Sequence, residues 1–323
     1  MFHFLRARIA HSTTLALLLS LALVLDRPEA SARVNLEVLQ HDGYGMVELK
    51  RPDPNVLTVV ASINGHKVRL VVDTGWGPGG IFLHNDQLSA VSLKTEDIKQ
   101  DLTTAFGGKM AGIKGARADK VAIGNVELAQ VPIFFGNLKT LREGRTMHKL
   151  GADGFIGAGF MKTCSGVLDL QNLRLYLRPP GKGRRALIGP ALTGAGLAEV
   201  SMSAATAVPV EINGSPGKMV VDTGAYHAGA DVRFAEKIHA ASRGSRVGGF
   251  DATNKIIATK LMQLRSFKIG GVNATAPDLR LTTFGFYSPD GLIGLLGMDI
   301  LGPNGAIIDF GAGKLYFYPA ASR

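Results

Sequence analysis

The sequence predicts an all-β fold of two matched lobes, and three observations support this. The chain has 323 residues, enough for two domains that each bury an apolar core. It contains 41 glycines and 46% hydrophobic residues, a composition typical of turn-rich and strand-rich proteins. One pattern of strands and turns occurs twice, in residues 38–179 and 189–319. We therefore expect two matched β-rich lobes with a few short helices.

The N-terminus has the features of a secretory signal peptide. Arg6 and Arg8 precede an apolar run from Leu15 to Leu25, and Ala30-Ser31-Ala32 provides small residues for cleavage. The run is too short to span a bilayer comfortably, although an uncleaved anchor is the alternative. The sequence thus predicts a signal peptide at residues 1–32, export to the periplasm or medium, and no membrane span after cleavage.

The first matched element is a β-hairpin that ends in an aspartate. Apolar residues alternate from Leu57 to Ile63, the pattern breaks at Asn64-Gly65, and a second alternating run ends at Asp73. The second half repeats this pattern, with its break at Asn213-Gly214 and its end at Asp222. The linker Pro179–Pro190 separates the halves, so we expect an N-terminal lobe at 33–186 and a C-terminal lobe at 187–323.

Later elements also match between the halves. An Asp-Gly turn leads into an apolar segment in Asp153–Phe160 and again in Asp290–Leu301, and a closing hairpin follows around Asp169 and around Asp309. The context of these four aspartates predicts turns and not catalytic acids. Helical periodicity is weak: the candidates are Asp231–Ser242 and a shorter segment after Asn85.

Asp-Thr-Gly occurs twice, each time directly after a buried-strand pattern. Such a position brings the carboxylates of Asp73 and Asp222 to a partly dry place, which is unusual for aspartate. Two carboxylates about 3 Å apart cannot both be ionised, so they hold one proton between them. One can then act as a base on a bound water while the other acts as an acid.

These motifs resemble the pepsin and retropepsin clan of aspartic peptidases over almost the whole chain after residue 32. The resemblance implies a bilobal acid-protease fold of two pseudo-twofold-related, β-barrel-like lobes, with Asp73 and Asp222 as the catalytic pair. It also implies hydrogen bonds of Thr74 and Thr223 across the lobe junction. Gly75 and Gly224 would allow the two backbones to approach.

The residue after each Asp-Thr-Gly departs from the pepsin pattern, which usually has Ser or Thr there. Ala225 is similar to retropepsins, whereas Trp76 fits neither group. The indole could form a wall of a substrate pocket, could turn into the lobe, or could mark a site that has lost its activity. Because no hydroxyl donates to the carboxylates, we expect a mildly acidic pH optimum.

Two segments resemble the substrate-covering flaps of this clan. Thr103–Gly112 contains Phe106 followed by Gly107 and Gly108, and Gly248–Asn254 contains Gly248 and Gly249. Glycines at these positions suit a mobile hairpin tip. We expect Trp76, Ala225 and both flaps to contact substrate.

Composition excludes several other classes of function. The histidines are scattered, a His-Glu-x-x-His motif is absent, and Cys164 is the single cysteine, so we expect no metal and no cofactor. The net charge is +10, but the basic clusters lack interleaved aromatics, which argues against nucleic-acid binding. The resemblance predicts a monomeric, exported aspartic endopeptidase acting on peptides or proteins. The alternatives are an inactive peptide-binding protein of this fold and a structural envelope β-protein.

Overall fold

The structure, a computed structural model, describes most of the chain after residue 33. The described ranges are 34–139, 141, 148–181, 187–251, 253, 255–288 and 291–320, without the side chains of 148 and 245–250. The predicted signal peptide and Asp290 lie outside these ranges. Among the described residues, no helix is both long and apolar enough to cross a bilayer.

The first lobe consists mainly of short strands joined by tight turns. Its strands are β1 (Gly45–Glu48), β2 (Lys50–Asp53), β3 (Val56–Ile63), β4 (His66–Asp73), β5 (Ile81–His84), β6 (Glu96–Asp97), β7 (Leu102–Thr103), β8 (Lys109–Met110), β9 (Lys114–Ile123), β10 (Val126–Gly136), β11 (Gly154–Gly157), β12 (Val167–Asp169) and β13 (Arg174–Leu177).

Six of these strands form a closed barrel in the order β3-β4-β11-β5-β10-β9. The ring closes because β9 pairs with β10 and also with β3, where Ile123 lies opposite Ala61. The alternating apolar residues of the first hairpin, among them Leu57 and Leu70, are buried in the core. The barrel therefore follows from the period-two pattern of the sequence.

The second lobe repeats these elements after the linker. Its strands are β14 (Ala198–Ser201), β15 (Ala207–Ile212), β16 (Ser215–Val221), β17 (Gly229–Asp231), β18 (Ser242–Phe250), β19 (Ile256–Met262), β20 (Phe267–Ile269), β21 (Val272–Asn273), β22 (Leu279–Thr282), β23 (Leu292–Leu296), β24 (Ile307–Asp309) and β25 (Lys314–Phe317).

The nine-stranded sheet of the second lobe has the order β18-β19-β22-β17-β23-β16-β15-β20-β21. Residues 263–266 separate β19, which pairs with β22, from β20, which pairs with β15. In this segment Leu264 donates its backbone N–H to Asp278, and Arg265 donates its backbone N–H to Asn213. The equivalent strand of the first lobe, β9, is continuous, and this difference explains why the first lobe alone forms a closed ring among the described strands.

A six-stranded sheet joins the lobes in the order β1-β13-β12-β24-β25-β14. Its two middle strands belong to the two closing hairpins, and Leu168 of β12 lies opposite Ile308 of β24. Each lobe contributes three strands. The matched halves of the sequence thus meet in one sheet, as expected for two lobes related by a pseudo-twofold axis.

The helices are short, and both predicted helical regions contain one. The predicted helix at Asp231–Ser242 covers only Val232–Lys237, because His239 has a left-handed φ of 49° and β18 begins at Ser242. The region after Asn85 forms a 3₁₀ turn at Asn85–Gln87 followed by a helix. That helix is Leu88–Val91, and four further α-helices among the described residues were not predicted: Val38–His41, Ala158–Thr163, Gly189–Gly194 and Met298–Leu301. The predicted all-β, bilobal acid-protease fold is confirmed.

Candidate active site

Two buried strands bring the aspartates to the junction between the lobes. Asp73 is the last residue of β4, which runs parallel to β11 with Gly157 opposite Asp73. Asp222 directly follows β16, and its backbone N–H donates to the carbonyl of Leu296 at 3.0 Å. The predicted segments around Phe155 and Leu295 therefore lie against the two loops as inner strands. Pairing with these strands fixes the position of each aspartate.

Thr74 and Thr223 link the two loops through four hydrogen bonds. The Thr74 hydroxyl donates to the carbonyl of Val221 at 2.8 Å and accepts from the N–H of Thr223 at 3.0 Å. The Thr223 hydroxyl donates to the carbonyl of Val72 at 2.7 Å and accepts from the N–H of Thr74 at 3.2 Å. Both threonines are 1% exposed. This buried network, which we call the threonine junction, holds the loops together.

Glycine at two positions lets the aspartates approach each other. A β-carbon at Gly75 would lie 2.5 Å from the carboxyl carbon of Asp222, and one at Gly224 would overlap the carboxyl group of Asp73. Each carboxyl group therefore occupies the space that a side chain in the opposite loop would fill. Asp73 and Asp222 are close enough for their carboxyl groups to share a hydrogen bond.

The two carboxyl groups have different hydrogen-bond environments. Oδ1 of Asp222 accepts backbone N–H groups from Gly224 at 2.8 Å, Ala225 at 3.1 Å and Gly75 at 3.2 Å. Oδ1 of Asp73 shares the N–H of Gly75 at 3.1 Å, whereas the N–H of Trp76 donates to the backbone carbonyl of Asp73 at 3.0 Å. Asp222 is 7% exposed, whereas Asp73 is half-buried. Asp222 thus has more donors to stabilise its ionised form.

Burial raises the pKa of both carboxyl groups. The pKa of Asp73 lies well above its usual value because of burial, then because of the charge of Asp222 and the hydrogen bond between the two groups. Burial also raises the pKa of Asp222, but hydrogen bonds from Gly224, Asp73 and Ala225 oppose this. The three backbone N–H donors favour the ionised form at Asp222, and the shared proton is favoured at Asp73.

A model of the aspartyl protease family matches residues 59–160 and 208–300, one segment in each lobe and together more than half of the chain. The chain belongs to the aspartyl protease family. The two segments contain the two Asp-Thr-Gly loops, which agrees with two fused repeats in one protease chain. No curated protein matches the chain.

Trp76 of this aspartyl protease family member turns into the first lobe, which is one of its three expected placements. Its ring packs edge-on against Phe82, with centroids 4.8 Å apart. It joins a buried cluster that includes Leu102, Met110 and Phe155. The indole Nε1 is buried and has no hydrogen-bond partner among the described residues. Trp76 therefore supports the first loop by packing, and its side chain supplies none of the hydrogen bonds to Asp73.

Ala225, three of the turn aspartates and Cys164 make the following contacts. Ala225 donates its N–H to Asp222 and accepts from the N–H of Met298 at 2.9 Å, so this position acts through its backbone. Asp153 accepts from the N–H of Arg69 at 2.8 Å, and Asp169 and Asp309 accept backbone N–H groups in their turns. Cys164 is buried, and burial raises the pKa of its thiol to about 12.

Both predicted flaps are hairpins, but the tip of the second lies further along than the sequence indicates. We call residues 102–110, with β7 and β8, the first flap, and residues 242–262, with β18 and β19, the second flap. Gly107 and Gly108 lie in the turn of the first flap. Gly248 and Gly249 lie in β18, at an irregularity of its pairing with β19. Asp251 and Lys255 lie beyond β18 on the two sides of the second turn, and the N–H of Asp251 donates to the carbonyl of Lys255 at 3.1 Å.

Sequence patterns did not single out several residues that link the lobes. Asn55 donates its side-chain N–H to the carbonyl of Tyr226 at 3.0 Å, and the Tyr226 hydroxyl is hydrogen-bonded to Asp53. Asp251 and Lys255 in the second flap contact the first flap. The repeat could have identified Asp251. It lies 147 positions after Thr104, which is close to the spacing of the two Asp-Thr-Gly motifs, so the two residues occupy nearly equivalent positions in the two halves.

Proposed function

We propose that this member of the aspartyl protease family is an exported endopeptidase that hydrolyses peptide bonds with a water molecule activated between Asp73 and Asp222. The observation that carries the proposal is the hydrogen-bonded pair of carboxyl groups with raised pKa values at the threonine junction. Two coupled carboxyl groups of this kind provide an acid and a base in one site.

The asymmetry of the pair assigns the two roles. Ionised Asp222 accepts a proton from the water as the water oxygen attacks the carbonyl carbon of the substrate. Protonated Asp73 donates its proton to the carbonyl oxygen, which gives a neutral tetrahedral diol. Transfer of a proton from Asp222 to the amide nitrogen, with return of the diol proton to Asp73, then breaks the C–N bond. The cycle ends with one amine product, one carboxylic acid product and the original protonation of the pair.

The expected substrates are peptides or unfolded segments of proteins, in agreement with the protease family. The export part of the proposal depends on the apolar run Leu15–Leu25 and the cleavage motif before Arg33. Expression of the full chain in a bacterial host, followed by cell fractionation and N-terminal sequencing, tests it. A mature N-terminus at Arg33 in the exported fraction supports export. A full-length product in the membrane fraction supports the uncleaved anchor.

A peptide library tests the catalytic proposal. The purified chain from Arg33 is incubated with mixed peptides, with and without a statine-type transition-state inhibitor. We expect inhibitable cleavage that both Asp73→Asn and Asp222→Asn abolish, with their secondary structure unchanged by circular dichroism. Peptide binding without cleavage would instead identify an inactive relative, and the absence of both would support a structural protein.

A further inference from the structure

The tips of the two flaps contact each other. The Thr104 hydroxyl in the first flap donates to Oδ2 of Asp251 in the second flap at 2.6 Å. Nζ of Lys255 donates to the carbonyl of Phe106 at 2.6 Å. These partners are 147 and 149 positions apart, and Asp73 and Asp222 are also 149 apart. Equivalent parts of the two repeats therefore meet at the tips.

Asp251 is the centre of this contact. It is 6% exposed, and its Oδ1 accepts the N–H of Thr253, the hydroxyl of Thr253 and the N–H of Lys255. Burial alone would raise its pKa, but the hydrogen bonds from Thr104 and Thr253 hold its pKa below the usual value. The carboxylate is therefore ionised, and the bond to Thr104 is charge-assisted, which makes it stronger than a neutral hydrogen bond.

The first flap also rests on a firmly held loop of the second lobe. Gly285 donates its N–H to the carbonyl of Ala105 at 2.9 Å, and the rings of Phe106 and Phe284 have centroids 5.2 Å apart. Phe284 is 2% exposed, and its N–H donates at 2.8 Å to Asp231, which is fully buried. Arg233 pairs with Asp231 and donates to the carbonyl of Phe284. The loop under the flap tip is thus fixed by buried polar bonds.

The flaps are connected to the elements that carry the aspartates. Leu102 and Met110 of the first flap share a hydrophobic cluster with Trp76, which lies three residues after Asp73. Phe284 lies against Gly229 of β17, and β17 pairs with β23 beside the Asp222 loop. The lobes therefore touch at the threonine junction and again at the flap tips.

From this arrangement we propose that Asp251 is a positioning residue that latches the two flaps over a bound peptide, and that the latch makes the site prefer short flexible peptides to folded proteins. The inference rests on the proposed endopeptidase function. A short peptide fits under joined flaps, and the latch helps to hold it there. A loop of a folded protein can enter only when the tips separate, so it gains nothing from the latch.

Hydrogen exchange tests the latch without any need for activity. Mass spectrometry follows backbone exchange in peptides that cover residues 104–110 and 283–287 of the chain from Arg33. We expect faster exchange in both regions for Thr104→Val and Asp251→Asn. Thr104→Ser should restore slow exchange. Thr103→Val is the matched control, since Thr103 is exposed in the same flap and should leave exchange unchanged. Unchanged exchange in Thr104→Val would overturn the latch.

Kinetics test the effect on substrate preference. One cleaved sequence is presented as a short peptide and as a surface loop of a folded carrier protein. Thr104→Val removes the charge-assisted bond to Asp251 and also the acceptor of the Gly108 N–H within the first flap. It should raise the KM of the short peptide at least about tenfold with little change in kcat, while kcat/KM for the loop stays constant or rises. An equal loss for both substrates would overturn the preference. If the unmodified chain cleaves neither substrate, the proposed function fails, and exchange alone decides whether the latch exists.

Discussion

The threonine junction allows a quantitative prediction for Thr74→Val. Valine has nearly the same shape as threonine but cannot hydrogen-bond, so the carbonyl of Val221 and the N–H of Thr223 lose their partner. Both lie in a region where Thr74 and Thr223 are 1% exposed, so water cannot replace the bonds. Each unsatisfied buried group costs about 1–3 kcal/mol, so the two groups give a loss of about 2–6 kcal/mol in the free energy of unfolding.

Urea unfolding at pH 7.5, followed by circular dichroism, measures this loss. Thr223→Val should show a loss of the same size, because its hydroxyl binds the equivalent groups, the carbonyl of Val72 and the N–H of Thr74. Thr74→Ser keeps the hydroxyl and removes one methyl group, so it should lose only about 1 kcal/mol. If Thr74→Val changed stability by less than about 0.5 kcal/mol, or no more than Thr74→Ser, the hydrogen-bond argument would be refuted.

Four further predictions concern the loops and the carboxyl pair. Gly224→Ala should abolish cleavage, since its β-carbon would overlap Asp73, whereas Gly77→Ala, with open space around it, should retain activity in the same peptide assay. Asp73→Asn should raise the free energy of unfolding at pH 7 but not at pH 3. The pKa of Asp73 is raised in the folded state, so its contribution to stability is fully present below the unfolded pKa of about 3.9 and is lost as pH rises through the folded pKa. Asparagine does not ionise and therefore avoids this loss. The pH profile of kcat/KM should peak at mildly acidic pH, falling on the alkaline side as Asp73 loses its proton and on the acidic side as Asp222 gains one; a maximum near pH 2 would contradict the raised pKa values. Trp76→Phe should keep cleavage and change stability by less than about 1 kcal/mol, because the lost N–H has no described partner, whereas urea unfolding of Trp76→Ala should show a loss of about 3 kcal/mol.

The repeat made most of the fold and the centre of the site predictable. Strand periodicity located the hairpins that end at Asp73 and Asp222, and the duplication predicted that both loops meet. The asymmetry of the pair was not predictable, because it depends on which backbone N–H groups point at each carboxylate. Gly75 donates to both aspartates, but Gly224 donates only to Asp222 among the described contacts. Such differences arise from small displacements that residue types do not encode.

The remaining differences have local physical causes. The helices Val38–His41 and Gly189–Gly194 are too short to produce a helical period in the sequence. The break between β19 and β20 depends on bonds to Asn213 and Asp278, which are distant in sequence. The sequence did not predict the contact between the two flaps, because this contact depends on where the second hairpin turns. The glycines suggested a tip near Gly248, whereas the side chain of Asp251 organises the turn.

The six-stranded sheet across the lobes also has an evolutionary consequence. In a homodimer, every substitution would appear in both half-sites, because one gene segment encodes both. Here β12 and β24 come from different segments of one chain, so each half can accept substitutions that the other does not share. Trp76 after the first Asp-Thr-Gly motif and Ala225 after the second are examples of such a difference. Covalent fusion thus permits a division of labour in which one half evolves as the proton donor and the other as the proton acceptor.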